Sequence, residues 1–164
     1  MVQYWKEKRK ECGGIPPRSH MKIEIRKTRP GASLPVYSSA LAAGADLCAC
    51  IGDEVRILPG ETAMIPTGIA VAIPAGYAGF VYARSGLSVK MGLAPANKVG
   101  VIDADYRGEI LVSLYNQSGQ VRTVAPGDRI AQLVIQKVET PVFEEVDELP
   151  DTERGAGGFG STGR

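Results

Sequence analysis

Histidine is almost absent from this chain of 164 residues: His20 stands alone, and cysteine is limited to Cys12, Cys48 and Cys50. A tetrahedral zinc site needs four nitrogen or sulfur ligands close together, so none can be assembled here, and the His-x-Glu with Pro-Cys-x-x-Cys pattern of zinc deaminases is missing as well. Cys48 and Cys50 are predicted on one face of a strand, where a mutual disulfide is geometrically awkward. With an odd count of three, they read as small buried hydrophobes in a reducing, cytoplasmic setting. No apolar run approaches the roughly 20 residues of a membrane span, which argues against any membrane partner. An excess of one charge is lacking too. The 19 Lys and Arg against 18 Asp and Glu leave a net charge of +1, without the basic footprint of a protein that binds polymeric DNA or RNA.

What is plentiful is glycine, 20 residues, and proline, 11, which predicts many turns between short elements. Residues 1–20 hold no apolar stretch fit for a signal peptide, and Arg18-Ser19-His20-Met21 looks like a vector scar joined to a native start. That segment is read as an expression tag or leader, followed by a β domain over residues 21–150. From Met21 onward apolar residues alternate or fall in short runs, the pattern of strands. Candidate strands are Lys22–Arg26, Ala45–Cys50, Glu54–Leu58, Thr62–Ile65, Ile69–Ile73, Ala78–Ala83, Lys98–Ile102, Glu109–Tyr115, Arg129–Lys137 and Phe143–Val146. They are broken by Pro59-Gly60, Pro74-Ala75-Gly76 and Pro126-Gly127-Asp128, and only Gly86–Lys90 reads as a short helix. An all-β sandwich or jelly roll is the expected architecture. Beyond Pro150 the composition turns glycine-rich, and residues 151–164 are expected to be mobile until they meet a ligand.

Three segments carry candidate chemistry. Arg84-Ser85-Gly86 follows an apolar strand and opens the short helix, so guanidinium, hydroxyl and backbone N–H groups could converge on an anion; the bland alternative is a surface turn. Asp103-Ala-Asp105-Tyr106-Arg107-Gly108 reads as a polar hairpin. A carboxylate at its mouth could equally orient and deprotonate a water, with an aromatic ring beside it for a sugar or base. The tail from Gly155 to Thr162 is a near miss to a P-loop, with Ser161 where the lysine belongs, so that fold is rejected. A linker would have little use for Arg154, Phe159, Ser161 and Arg164, which suit a lid over a nucleotide.

Taken together, these segments resemble the five motifs of the trimeric dUTPase family, in order, over nearly all of residues 21–164. Ala43-Gly44-Ala45-Asp46-Leu47 is similar to the first and Ala83-Arg84-Ser85-Gly86-Leu87 to the second. Residues 100–108, Gly-Val-Ile-Asp-Ala-Asp-Tyr-Arg-Gly, are similar to the third, Gly127-Asp128-Arg129-Ile130-Ala131-Gln132-Leu133 to the fourth and residues 154–163 to the fifth. The resemblance implies a jelly-roll homotrimer with one short helix and a flexible glycine-rich tail. It implies that Mg²⁺-dependent cleavage of dUTP to dUMP and diphosphate keeps uracil out of DNA and supplies dUMP for thymidylate synthesis. On the same resemblance Asp103 activates the water that attacks the α-phosphorus, while Arg84, Ser85, Gly86 and Gln132 hold phosphates and that water. Asp46 serves Mg²⁺ through a water, and Tyr106 lies against the deoxyribose and excludes a 2′-hydroxyl. Uracil is read by Asn97 and by a hairpin from Gly100 through Leu111 that includes Val101 and Ile102. The tail closes with Phe159 on the base, Arg154 on the γ-phosphate and Gly160 and Ser161 beside them. Each site is implied to be shared: motifs one, two and four from one chain, motif three from a second and the tail from a third. Two other readings stay open, a dCTP deaminase-like enzyme of the same fold and a nucleotide-dependent regulatory binding protein.

Overall fold

A computed structural model describes residues 21–158; the tag or leader reading of residues 1–20 lies outside the described residues. In chain order the elements are β1 (Glu24–Lys27), β2 (Ala45–Cys48), β3 (Val55–Ile57), β4 (Thr62–Pro66), β5 (Ile69–Ala72) and β6 (Tyr77–Tyr82). There follow α1 (Ser85–Met91), β7 (Leu93–Pro95), β8 (Val99–Ile102), β9 (Leu111–Asn116), β10 (Arg122–Val124) and β11 (Arg129–Lys137). Every strand pair is antiparallel. Four strands form one sheet in the order β2-β11-β6-β8 and three form another in the order β4-β9-β7, with two-stranded pairs β1-β5 and β10-β3 completing the layers.

Alternation explains the packing. Along β9 the residues Val112, Leu114 and Asn116 are buried while Leu111 faces out, so one face of the strand closes the core with Leu47, Ile57, Ile65, Ile69, Leu93 and Ile130. Asn116 is fully buried at the end of β9. Its amide donates to the carbonyls of Ile57 and Gln120 at 2.9 and 2.8 Å, and its oxygen accepts from the backbone and hydroxyl of Ser118. The hydrogen bonds of a buried polar group so fully paired offset its desolvation cost, and here they tie β3 and β9 to the turn leading into β10. The Pro-Gly turns form as the residues dictate: Pro presets φ, and Gly60 and Gly127 take φ of +78° and +81°, which a side chain would resist.

The all-β expectation holds, and α1 extends the predicted helix by one residue at each end. Two three-residue strands, β7 and β10, escaped the sequence pattern because three residues are too few for alternation to register. The expected strand at Phe143–Val146 is corrected: residues 138–150 contain no strand, and Val142 and Phe143 are 95% and 94% exposed. The alternation there is real, but a strand needs a neighbour to complete its backbone ladder, and none of the described strands lies alongside. The segment after β8 is not a hairpin in the hydrogen-bonded sense. β8 pairs with β6, whereas β9 pairs with β4 and β7, so residues 103–110 cross between two sheets.

Candidate active site

The longest strand, β11, lies between β2 and β6 and sets the first group of site residues. Gln132 is the cross-strand partner of Asp46 on one side and of Tyr82 on the other, so their side chains share a face. Two residues beyond Tyr82, Arg84 returns to that face and its Nε donates to Asp46 Oδ1 at 2.6 Å. Arg129 Nη1 donates to Asp46 Oδ2 at 3.2 Å, and the Ser38 hydroxyl donates to the same oxygen at 2.9 Å. The nearly buried Asp46 carboxylate therefore holds two guanidinium groups in place, which is how cations are kept oriented for an anionic ligand rather than left to wander in solvent. Gln132 Nε2 donates to the Ala83 carbonyl at 2.8 Å, turning its amide oxygen toward Gly44. A Cβ on Gly44 would come within 2.6 Å of that oxygen, so only glycine lets the first motif pass so close to β11. Ser38, Gly44, Asp46, Arg84, Ser85, Gly86 and Gln132 line an open cleft of about 260 Å³.

Cys48 is the partner of Arg129 across β2 and β11. Burial pushes its thiol pKa up, the negative charge of Asp46 adds to this, and Arg129 and Arg84 oppose it, so the sulfur stays protonated and inert. Cys48 and Cys50 are both free thiols.

The second group sits where β8 and β9 part company. β8 is an edge strand, so half its backbone N–H and C=O groups find no ladder partner within the described chain. Asn97, Gly100, Val101, Ile102, Asp103, Tyr106 and Leu111 line a separate cleft of about 360 Å³ between the two strands. Asp103 is exposed, and its carboxylate accepts no hydrogen bond from the described residues. Its backbone carbonyl accepts from the Tyr106 N–H at 3.2 Å, closing a turn that presents the carboxylate and the tyrosine ring on one loop. The Tyr106 hydroxyl donates to the Glu109 carbonyl at 3.0 Å, and Gly108 lies so close under the ring that any side chain would displace it.

The sequence-predicted residues thus divide. Asp46, Arg84, Ser85, Gly86 and Gln132 share one cleft; Asn97, Val101, Ile102, Asp103, Tyr106 and Leu111 share the other, and the two clefts have no lining residue in common. Arg154 joins neither; it is exposed, and its Nε donates to the Gly157 carbonyl of its own turn at 2.8 Å. Phe159, Gly160 and Ser161 lie outside the described residues. Arg129, Ser38 and Glu109 were not assigned roles from sequence. Arg129 lies inside the fourth motif and could have been noticed as a second cation beside Asp46; Ser38 and Glu109 are revealed only by folding.

An antiparallel β protein with a carboxylate-braced pair of guanidiniums in one cleft and, in another, an aspartate that has no side-chain partner among the described residues beside a tyrosine has the equipment of an enzyme acting on an anionic nucleotide. The dUTPase family profile matches residues 31–163, and the chain belongs to the dUTPase family. It is 51% identical over 144 residues to the deoxyuridine 5′-triphosphate nucleotidohydrolase of Thermobifida fusca, covering 87% of this chain and 79% of that protein. To the enzyme of the same name from Syntrophotalea carbinolica it is 50% identical over 141 residues, 86% of this chain and 96% of the relative. Among solved structures, Staphylococcus bacteriophage 80alpha dUTPase with dUPNHPP matches with a TM-score of 0.76 at 30% identity, over 87% of this chain and 99% of that one. A mutant dUTPase from phage phi11 of S. aureus, described for its coordination of a structural Mg(II) ion, matches with a TM-score of 0.70 at 28% identity, over 78% and 98% of the two chains.

Proposed function

We propose that in the hydrolysis of dUTP to dUMP and diphosphate, the reaction for which the relatives are named, Asp103 takes the proton from the water that attacks the α-phosphorus. Its exposed carboxylate, free of partners among the described residues, suits that task. Arg84, Ser85 and Gly86 hold the phosphates, and Gln132 helps to hold the attacking water. Charge neutralisation and positioning lower most of a phosphoryl-transfer barrier, so a braced cationic cleft is an effective catalyst without covalent chemistry. Asn97 and the free backbone edge of β8, from Gly100 through Ile102, read uracil, with Leu111 on the facing strand. Tyr106 closes against the deoxyribose. Arg154, Phe159, Gly160 and Ser161 act from a C-terminal lid spanning residues 151–164.

Mg²⁺ is the proposed cofactor, and the donor set fits an ion carried mainly by the substrate. The described residues contain no group of three or more His, Cys, Asp or Glu side chains able to hold a metal, and both Asp46 oxygens are engaged. Triphosphate oxygens and water would hold the ion, and Asp46 would serve it through a water. When bound, it neutralises triphosphate charge. A cytoplasmic location is supported by the free thiols of Cys48 and Cys50; no helix among the described residues is long and apolar enough to cross a membrane.

The observation that carries the shared-site reading is the division of the predicted residues between two clefts of one chain. A homotrimer would bring motif three of one subunit to motifs one, two and four of another and the tail of a third. The exposed apolar residues Met64, Val101 and Leu111, which line the Asp103 cleft, and Val142, Phe143 and Leu149 in the strandless segment 138–150 are surfaces such an assembly would cover. The test mixes Asp103→Asn subunits with subunits lacking residues 154–164, each inactive alone, and refolds them together. In an equimolar mixture that assembles at random under cyclic symmetry, about a quarter of all sites regain an intact set. Intact-mass spectrometry that confirms mixed trimers without recovered activity would place motif three and the tail of each site on one chain. Diphosphate release from dUTP set against ammonia release from dCTP separates this enzyme from a deaminase of the same fold.

A further inference from the structure

Glu109 lines the Asp103 cleft, and its carboxylate is held by Arg29 and by the turn between β4 and β5. Arg29 Nε donates to Oε1 and Oε2 of Glu109 at 2.8 and 3.0 Å, and the Gly68 N–H donates to Oε1 at 2.8 Å. Gly68 takes φ of +71°, and a Cβ there would stand 2.6 Å from Ala32 Cβ and 2.7 Å from Cys50 Sγ, so the β4–β5 turn presents this N–H only because the residue is glycine. The next residue is fastened from the same turn. The Ile110 N–H donates to the Ile69 carbonyl at 2.9 Å, and the Ile110 carbonyl accepts from the Thr67 hydroxyl at 2.7 Å. The Glu109 carbonyl, fixed between these anchors, accepts the hydrogen bond of the Tyr106 hydroxyl.

We propose that Arg29, Glu109 and Gly68 form a clasp that sets the position of the Tyr106 ring, making Glu109 and Arg29 positioning residues for selection between deoxyribose and ribose. The proposal rests on the proposed meeting of Tyr106 with the sugar. The route is short: one hydrogen bond separates the ring from the clamped residue, and Tyr106 has no other side-chain hydrogen bond among the described residues. Loosening the clasp lets the carbonyl drift, the ring follows, and the space denied to a 2′-hydroxyl opens. Burial raises the Glu109 pKa, but hydrogen bonds from Arg29 and the Gly68 amide and the Arg29 charge outweigh it and hold the carboxyl below its ordinary value, so the clasp is ionised at neutral pH.

The test measures kcat/KM for dUTP and UTP, with Tm recorded for every protein so that assays run well below unfolding, in Glu109→Ala, Glu109→Gln, Arg29→Ala, Tyr106→Ala and the double variant Tyr106→Ala/Glu109→Ala. Glu109→Ala should raise the UTP-to-dUTP ratio about tenfold, within the roughly hundredfold that a misplacement of about 1 Å can carry. Glu109→Gln should raise it less, because the amide oxygen still accepts from Gly68. Adding Glu109→Ala to Tyr106→Ala should not raise the ratio further, since the clasp acts through the ring. If Glu109→Ala does not fold, Arg29→Ala, a change at a half-exposed side chain, carries the same test. Should Tyr106→Ala raise the ratio while the clasp variants only lower Tm, the clasp is purely structural and the proposal is overturned. Should Tyr106→Ala itself leave the ratio unchanged, the sugar reading fails, and the route by which the clasp would act fails with it.

Discussion

The two clefts of this chain solve recognition by opposite means. Around Asp46, three adjacent strands hold side chains on one face, and ionised groups brace one another: Arg84 and Arg129 on a single carboxylate, with Ser38 completing its shell. Around Asp103 the recognising surface is made by strands that separate, leaving backbone edges, a tyrosine ring and one carboxylate without a partner among the described residues. The first suits a ligand defined by charge, and the second a ligand defined by shape and by donor and acceptor pattern. A triphosphate and a deoxyuridine differ in the same way, and the contrast yields separable experiments.

The largest expected effect falls in the second cleft. Asp103→Asn keeps the size of the side chain and removes its capacity to take a proton, so turnover of dUTP should fall by about 10²–10⁴-fold. Affinity for a non-hydrolysable dUTP analogue should stay near that of the parent, because the carboxylate holds no part of the fold. Near-normal turnover would remove Asp103 from its role and leave the cleft a binding surface only.

A smaller effect is expected from Asp46→Asn, and it should be of a different kind. The amide has nearly the same size but no charge, so Arg84 and Arg129 would face each other without a counter-ion. Hydrogen bonds to charged groups at such sites contribute about 1.5–3 kcal/mol, which predicts a drop of roughly tenfold or more in kcat/KM for dUTP. UTP carries the same triphosphate, so the UTP-to-dUTP ratio should not move. A changed ratio would break the division of labour between the clefts.

How much of the molecule is legible in its sequence follows the same divide. Asp46, Arg84 and Gln132 come together through strand alternation and pairing, and alternation is written in the chain, so their motifs can be located from residue order alone. The Asp103 loop is equally visible as a motif, but its setting is not. Nothing local in Val99–Ile102 or Leu111–Asn116 says that two consecutive strands will join different sheets, because that choice is made by packing across the whole core. Phe143–Val146 failed for a related reason: its pattern is that of a strand, and pairing depends on a neighbour that the described residues do not supply. Glu109 and Arg29 are 80 residues apart and stand in no shared motif, so only the fold makes them partners.

The smallest effect tests whether the shape-based cleft depends on charge at all, through its one clasp. In the folded protein the Glu109 pKa lies below its ordinary value of 4.5, and a carboxylate with a depressed pKa contributes stability that is present above the unfolded value and lost as pH falls through the folded one. The Tm difference between the parent and Glu109→Gln should therefore be constant at neutral and mildly acidic pH and shrink once the pH drops below 4.5. Because Arg29 is half exposed, added salt should reduce the difference as well, screening the pair from the solvent side. Thermal melts of the two proteins across pH and salt provide the measurement. A difference that stays flat below pH 4.5 would mean that the neutral hydrogen bond to Gly68 does all the holding, and the cleft would then owe nothing to ionised side chains beyond Asp103. A difference that closes would show that even the region built on shape is kept in register by an ion pair, Arg29 with Glu109.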